Sequence, residues 1–149
     1  SKLLMKMLKN LKNKKGFTLI EIVIVIVIIA ILAAMLVPSL LKWIDNANQK
    51  SFLEAANTIK TSCLSVLTDN YASSGSFAFK DGDWGESGKI SELVGKTVVT
   101  GETALPDKGY KATVNLATSG NKLETLVVEN ANYTATWTES DGQWEVAAK

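Results

Sequence analysis

A run of apolar side chains from Leu19 to Leu41 limits what this chain can become more than any other feature. Only Glu21, Pro38 and Ser39 depart from it, so 20 of 23 positions are apolar, and Ile22 to Val37 has no interruption. As a helix the run is about 35 Å long, enough to cross the hydrocarbon core of a bilayer. A helix lying on a soluble core shows a polar face every 3.6 residues, and none occurs here. The run therefore predicts a membrane-spanning helix. Its one carboxylate, Glu21, stands near the N-terminal end, behind a lysine-rich leader that closes in Gly16.

The charges give that helix a direction. The 149 residues include 16 lysines, no arginine and no histidine, and the net charge of +1 is unevenly spread. Residues 1–16 hold six lysines and no acid, while residues 17–149 hold 10 lysines against 15 acids, a net of −5. A nucleic-acid footprint spread over the fold is not expected from this balance. Lysines beside a spanning helix stay in the cytoplasm, which places the N-terminus inside and the C-terminal part outside. A secretory signal peptide is the plain alternative. Its apolar core is usually about 7–15 residues, shorter than this run, and no small-residue cleavage site closes the run promptly. A signal-anchor is the stronger competitor. One cysteine, Cys63, rules out an intrachain disulfide, so an exported domain must be held by core packing or by assembly.

Helical spacing continues past Leu41 with polar residues added. Trp43, Ile44, Phe52, Ala55, Ala56, Ile59, Cys63, Val66 and Leu67 form an apolar stripe, with Lys50, Glu54, Asn57, Thr61 and Asp69 opposite. The pattern predicts one helix of about 54 residues and roughly 80 Å, ending near Tyr71 at Ser73-Ser74-Gly75. Pro38 removes a backbone donor near its middle, so a kink or loosening is expected there. Upstream, Leu3, Leu4, Met7, Leu8 and Leu11 among lysines suit a short basic amphipathic helix on the membrane surface.

Residues 75–109 read as irregular, with a short strand at Phe77–Phe79, a loop at Lys80–Glu86, a helical turn at Ile90–Val94 and a turn at Leu105-Pro106-Asp107. Alternation then predicts four strands: Tyr110–Leu116, Leu123–Val128, Tyr133–Thr138 and Gln143–Val146. A two-residue turn at Asp141-Gly142 pairs Glu139 with Trp144 and Trp137 with Val146. Tyr133, Ala135, Trp137, Trp144 and Val146 then share a face that needs a cover, and Trp43–Tyr71 is the one large element that supplies it. The expected fold class is α+β, a long helix on an antiparallel sheet of about four strands.

The residues Gly16-Phe17-Thr18-Leu19-Ile20-Glu21, followed by the apolar run and Pro38, resemble the N-terminus of type IV pilins and of the related pseudopilins. The likeness is specific over residues 10–45 and architectural beyond. It implies a leader at 1–16, a transmembrane and filament-core helix at 17–44, an amphipathic half at 45–74 and a head at 75–149. It implies cleavage after Gly16 by a prepilin peptidase, N-methylation of Phe17, assembly through Phe17 and Glu21, and a kink at Pro38. The implied partners are copies of the same chain in a helical homopolymer, a pilus assembly platform, the cytoplasmic membrane before assembly, and minor pilins. Many relatives close a C-terminal loop with a disulfide, which a lone Cys63 does not permit.

The chemistry of that stretch is consistent with such a life. Glycine before a cut lets another backbone approach closely. Removing the leader removes six lysines at once. The carboxylate of Glu21 is costly in lipid, by several kcal/mol. The Phe17 amine can pair with it, within one chain or, in a staggered array, from a neighbouring copy. The plain alternative is that Glu21 snorkels to the interface. Fully exposing one Val, Leu or Ile costs roughly 1.5–3 kcal/mol, so the trimmed rod must bundle with its own kind once out of lipid. Repeated head-to-tail contacts that do not close give a filament. The expectation is a pilin subunit of an extracellular filament. The rivals are a pseudopilin of a type II secretion or DNA-uptake machine, and a single-pass anchored binding domain that never polymerises.

Catalysis finds no support. The chain lacks histidine, the common general base and zinc ligand, and arginine, the bidentate phosphate clamp. No cofactor is expected. Asp81 and Asp83 with Glu86 lack the ligand series of a calcium loop and read as a solvated loop, with calcium the weaker alternative. Cys63 lies on the apolar stripe as a core residue. Trp84, in a glycine-rich loop, is a candidate surface contact. Lys108 and Lys111 are too few for a DNA patch.

Overall fold

The computed structural model describes residues 2–13, 16 and 18–149. The chain divides into two compact units, residues 1–45 and 46–149. The first holds α1 (Lys2–Asn13) and the start of α2 (Leu19–Ser74). α2 has 56 residues, contains Pro38, and is long and apolar enough to span a membrane, with none of its apolar window buried. The helix runs on through Pro38 without a break. It stops where serine and glycine replace the periodic residues. Gly75 takes the left-handed conformation (φ 74°), and its N–H donates to the Tyr71 carbonyl at 2.8 Å, satisfying one of the end carbonyls.

The second unit is a five-stranded sheet covered by the second part of α2. β1 (Val98–Val99), β2 (Tyr110–Leu116), β3 (Leu123–Glu129), β4 (Tyr133–Thr138) and β5 (Gln143–Ala148) lie in sequence order. β1 runs parallel to β2, and every later pair is antiparallel. β1 is an addition to the four strands expected. Two residues carry no alternation to read, and their pairing with Tyr110 and Lys111 is fixed only by the fold.

The ladders line up two rows of side chains on the inner face. Val114, Leu126, Trp137 and Trp144 are successive partners across β2 to β5, and so are Ala112, Val128, Ala135 and Val146. One row is bulky and the other is small, as facing layers that interdigitate require. Phe52, Ala56, Ile59, Cys63 and Val66 of α2 close over them in one core cluster. Ring centroids of Phe52 lie 5.7 Å from Tyr133 and 6.3 Å from Tyr110. Two turns on, Lys60 sets its ammonium 3.8 Å over the Trp137 ring, and the Trp144 indole N–H donates to Asn57 at 2.6 Å. The cover expected for the tryptophan face is thus in place, and each tryptophan has a polar neighbour on the helix.

Three details of the sequence reading need correction here. The β4–β5 pairing is Trp137 with Trp144 and Thr138 with Gln143, two residues away from the predicted register. The turn takes four residues, with Gly142 left-handed (φ 66°) and its N–H on the Thr138 carbonyl, and not the two-residue form. A slip of two leaves every side chain on its predicted face, because strand side chains alternate with period two. Second, the buried stripe does not reach back to Trp43 and Ile44, which are 69% and 42% exposed, nor on to Tyr71. Strands of six or seven residues are about 20 Å long, whereas Trp43–Tyr71 as helix is about 43 Å. The buried residues of α2 run only from Phe52 to Asn70. Third, Phe77–Phe79 forms no strand; the Ala78 carbonyl is taken by the Asn70 side chain at 2.9 Å.

In the segment that read as a solvated loop, Asp81 and Glu86 are exposed, but Asp83 is tied inward. Asp83 is 1% exposed. One of its oxygens accepts both the Asn70 amide at 2.9 Å and the Lys80 N–H at 2.6 Å. A buried carboxylate is tolerable only with such donors. Trp84 is half-buried and rests on Phe79, with ring centroids 4.7 Å apart, so its ring is largely used within the chain. α3 (Lys89–Val94) matches the expected helical turn. Ser91 links it to β1 by accepting the Val98 N–H at 2.8 Å.

Cys63 is fully buried in this core, as its place on the stripe requires. Burial pushes its thiol from the ordinary 9.0 up to about 12. The buried neutral thiol therefore adds its full share of stability below pH 9, and that share is lost as pH rises from about 9 toward 12. A thiol reagent at pH 8 is expected to modify native protein at least about 100-fold more slowly than protein unfolded in urea, since reaction must await opening. Equal rates in the two states would show that the helix does not cover Cys63.

Candidate processing and assembly site

The site lies where α2 begins. Thr18 is the N-cap. Its carbonyl accepts the Ile22 N–H at 3.1 Å, the first bond of the helix. Its hydroxyl accepts the Glu21 N–H at 3.3 Å, and the Glu21 carboxylate accepts the Thr18 N–H at 3.3 Å. This reciprocal pair is a capping box, which satisfies two of the backbone donors that every helix start leaves open. Its signature, Thr-x-x-Glu before an apolar run, stood in the sequence, where attention to the charge of Glu21 hid its local role. Thr18 is the residue that sequence reasoning missed.

Gly16 lies outside the helix and is exposed. A Cβ built on it would meet nothing within 4 Å. Contrast Gly88, where a Cβ would fall 2.6 Å from the Asp83 carbonyl oxygen. The fold has a use for glycine at 88, whereas residue 16 has room for a side chain. Phe17, expected to carry processing, methylation and assembly, lies outside the described residues. Pro38 belongs to α2 well beyond this site.

Glu21 is exposed, and so is every side chain of α2 from Leu19 to Asn48. Leu19 is 83% exposed, Ile29 59% and Met35 70%. Among the described residues, none covers this apolar length. Among the described residues no group of three or more His, Cys, Asp or Glu gathers to hold a metal.

A spanning-length apolar helix whose second part lies on a mostly antiparallel sheet is the α+β arrangement of type IV pilin-like proteins. Residues 11–37 match the prokaryotic N-terminal methylation motif, the signature of type IV pilin and pseudopilin precursors, which are structural proteins of membrane-anchored origin. In proteins that bear it, that motif implies processing by a prepilin peptidase and assembly in a pilus system. Comparison with curated proteins and with solved structures gave no match.

Proposed function

We propose that the chain is a pilin, cut after Gly16, N-methylated at Phe17 and polymerised into a type IV pilus filament on the cell surface. The observation that carries this reading is the uncovered apolar length of α2. An apolar window of this kind with none of it buried needs either lipid or other apolar helices around it. A lipid-held state serves the precursor and a bundle of identical helices serves the filament core, with the sheet units outside. Phe17 and Glu21 then set the contact between neighbours, and Pro38 lets the helix bend during assembly.

Electron microscopy of material sheared from the surface, with N-terminal sequencing of its main band, tests this. Filaments extending beyond the cell, built of a band that begins at methylated Phe17, are expected. Short fibres confined to the envelope would favour a secretion or DNA-uptake pseudopilin. Uncut protein in full activity, with no filaments, would favour an anchored binding domain.

A further inference from the structure

We infer that Thr18 is a positioning residue for the cut after Gly16, an inference that rests on the processing reading above. Its capping pair with Glu21 starts α2 at Leu19 and so keeps Gly16 outside the helix.

The need for such a stop is evident from the flanking sequence. α1 ends at Asn13 and α2 begins at Leu19, with only five residues between them. Those five, Lys14 to Thr18, include no proline, and a single glycine is a weak helix breaker. Near lipid, open backbone donors and acceptors are costly, which favours extending one helix into the other. In a continuous helix the Thr18 N–H would go to the carbonyl of residue 14. Here it goes to the Glu21 carboxylate, while the Thr18 hydroxyl takes the Glu21 N–H. The capping pair satisfies both groups without adding a turn. A merged helix would commit the backbone groups around Gly16 to internal bonds. A peptidase that pairs with extended backbone could then not reach them.

The same pair gives Glu21 a partner before the cut. In the precursor the Phe17 nitrogen is an amide and carries no charge, so it offers the carboxylate no cation. The Thr18 N–H serves in its place. Hydrolysis of the Gly16–Phe17 peptide by water yields the Gly16 carboxylate and the Phe17 amine. Only then does the cation that assembly needs exist.

The test uses the full-length precursor in lipid vesicles with a prepilin peptidase, with initial cleavage rates read by mass spectrometry. Thr18→Val keeps the shape and removes the acceptor, and is expected to be cut roughly fivefold more slowly or worse. Thr18→Ser and Thr18→Asn keep an acceptor and should stay near the wild-type rate, Asn despite its different shape. Protection of Cys63 from thiol reagents should be equal in all four proteins, separating a local effect from misfolding. A peptidase that reads the threonine's shape would accept Val and reject Asn, and that order overturns the inference. So does wild-type speed in Thr18→Val. In both cases the wild type is still cut after Gly16 and the processing reading stands. If the wild type itself is not cut there, that reading falls and takes the inference with it.

Discussion

Gly16→Leu is expected to leave a folded, membrane-held precursor that is cut about a hundredfold more slowly, a loss typical of misplacing a scissile bond by an ångström or so. The prediction has two halves with separate physical grounds. Folding should survive because a side chain at residue 16 finds open space on every side, with no neighbour within 4 Å of a Cβ. Cleavage should not survive, because a side chain at residue 16 would keep a peptidase's backbone from the close approach that glycine permits. The same substitution at Gly88 makes the comparison sharp. There a Cβ would strike the backbone of Asp83 and Trp84, so the expected outcome is a destabilised head with the cut unaffected. Cleavage read by N-terminal sequencing, with Cys63 protection as the measure of folding, separates the two. Normal processing of Gly16→Leu would remove the peptidase from the account, and an unfolded Gly16→Leu would contradict the open surroundings of residue 16.

What could be read from residues alone follows the range of the interactions involved. The apolar length of α2 and the alternation of β2 to β5 are local patterns, and both elements stand close to where the patterns put them. The faces of β4 and β5 survived an error in their register because parity, and not pairing, decides which side chains point inward. β1 was missed because two residues have no period; it exists because Val98 and Val99 find β2 beside them. Asp83 misled for a similar reason. Its sequence neighbours are Gly82, Trp84 and Gly85, but its partner Asn70 lies thirteen residues back on α2. No local rule distinguishes that carboxylate from a solvated one. The capping box at Thr18 is the opposite case. It is local and was legible, but a resemblance that gave Glu21 a role between subunits drew attention away from its role within one.

Those two roles of Glu21 can be pulled apart, and Glu21→Gln does so. Glutamine at the third helical position still accepts the Thr18 N–H, so the cap remains and processing should stay within about twofold of wild type. The charge is gone, however, and with it the attraction that the proposed assembly gives Glu21 to the amine of a neighbour's Phe17 in the apolar centre of the bundle. Water does not screen that pair, so its strength exceeds that of a surface ion pair. Each lost 1.4 kcal/mol weakens subunit association about tenfold, and every junction along a filament repeats the loss. Filament yield from Glu21→Gln should therefore fall at least about tenfold, measured as sheared pilin per cell, while trimmed subunit accumulates in the membrane. Glu21→Ala loses the cap as well as the charge, and should show the same assembly defect with slower trimming added. If Glu21→Gln assembled normally and Glu21→Ala did not, the carboxylate would matter only as the lid of its own helix. The register between neighbours would then have to come from the packing of the apolar side chains alone.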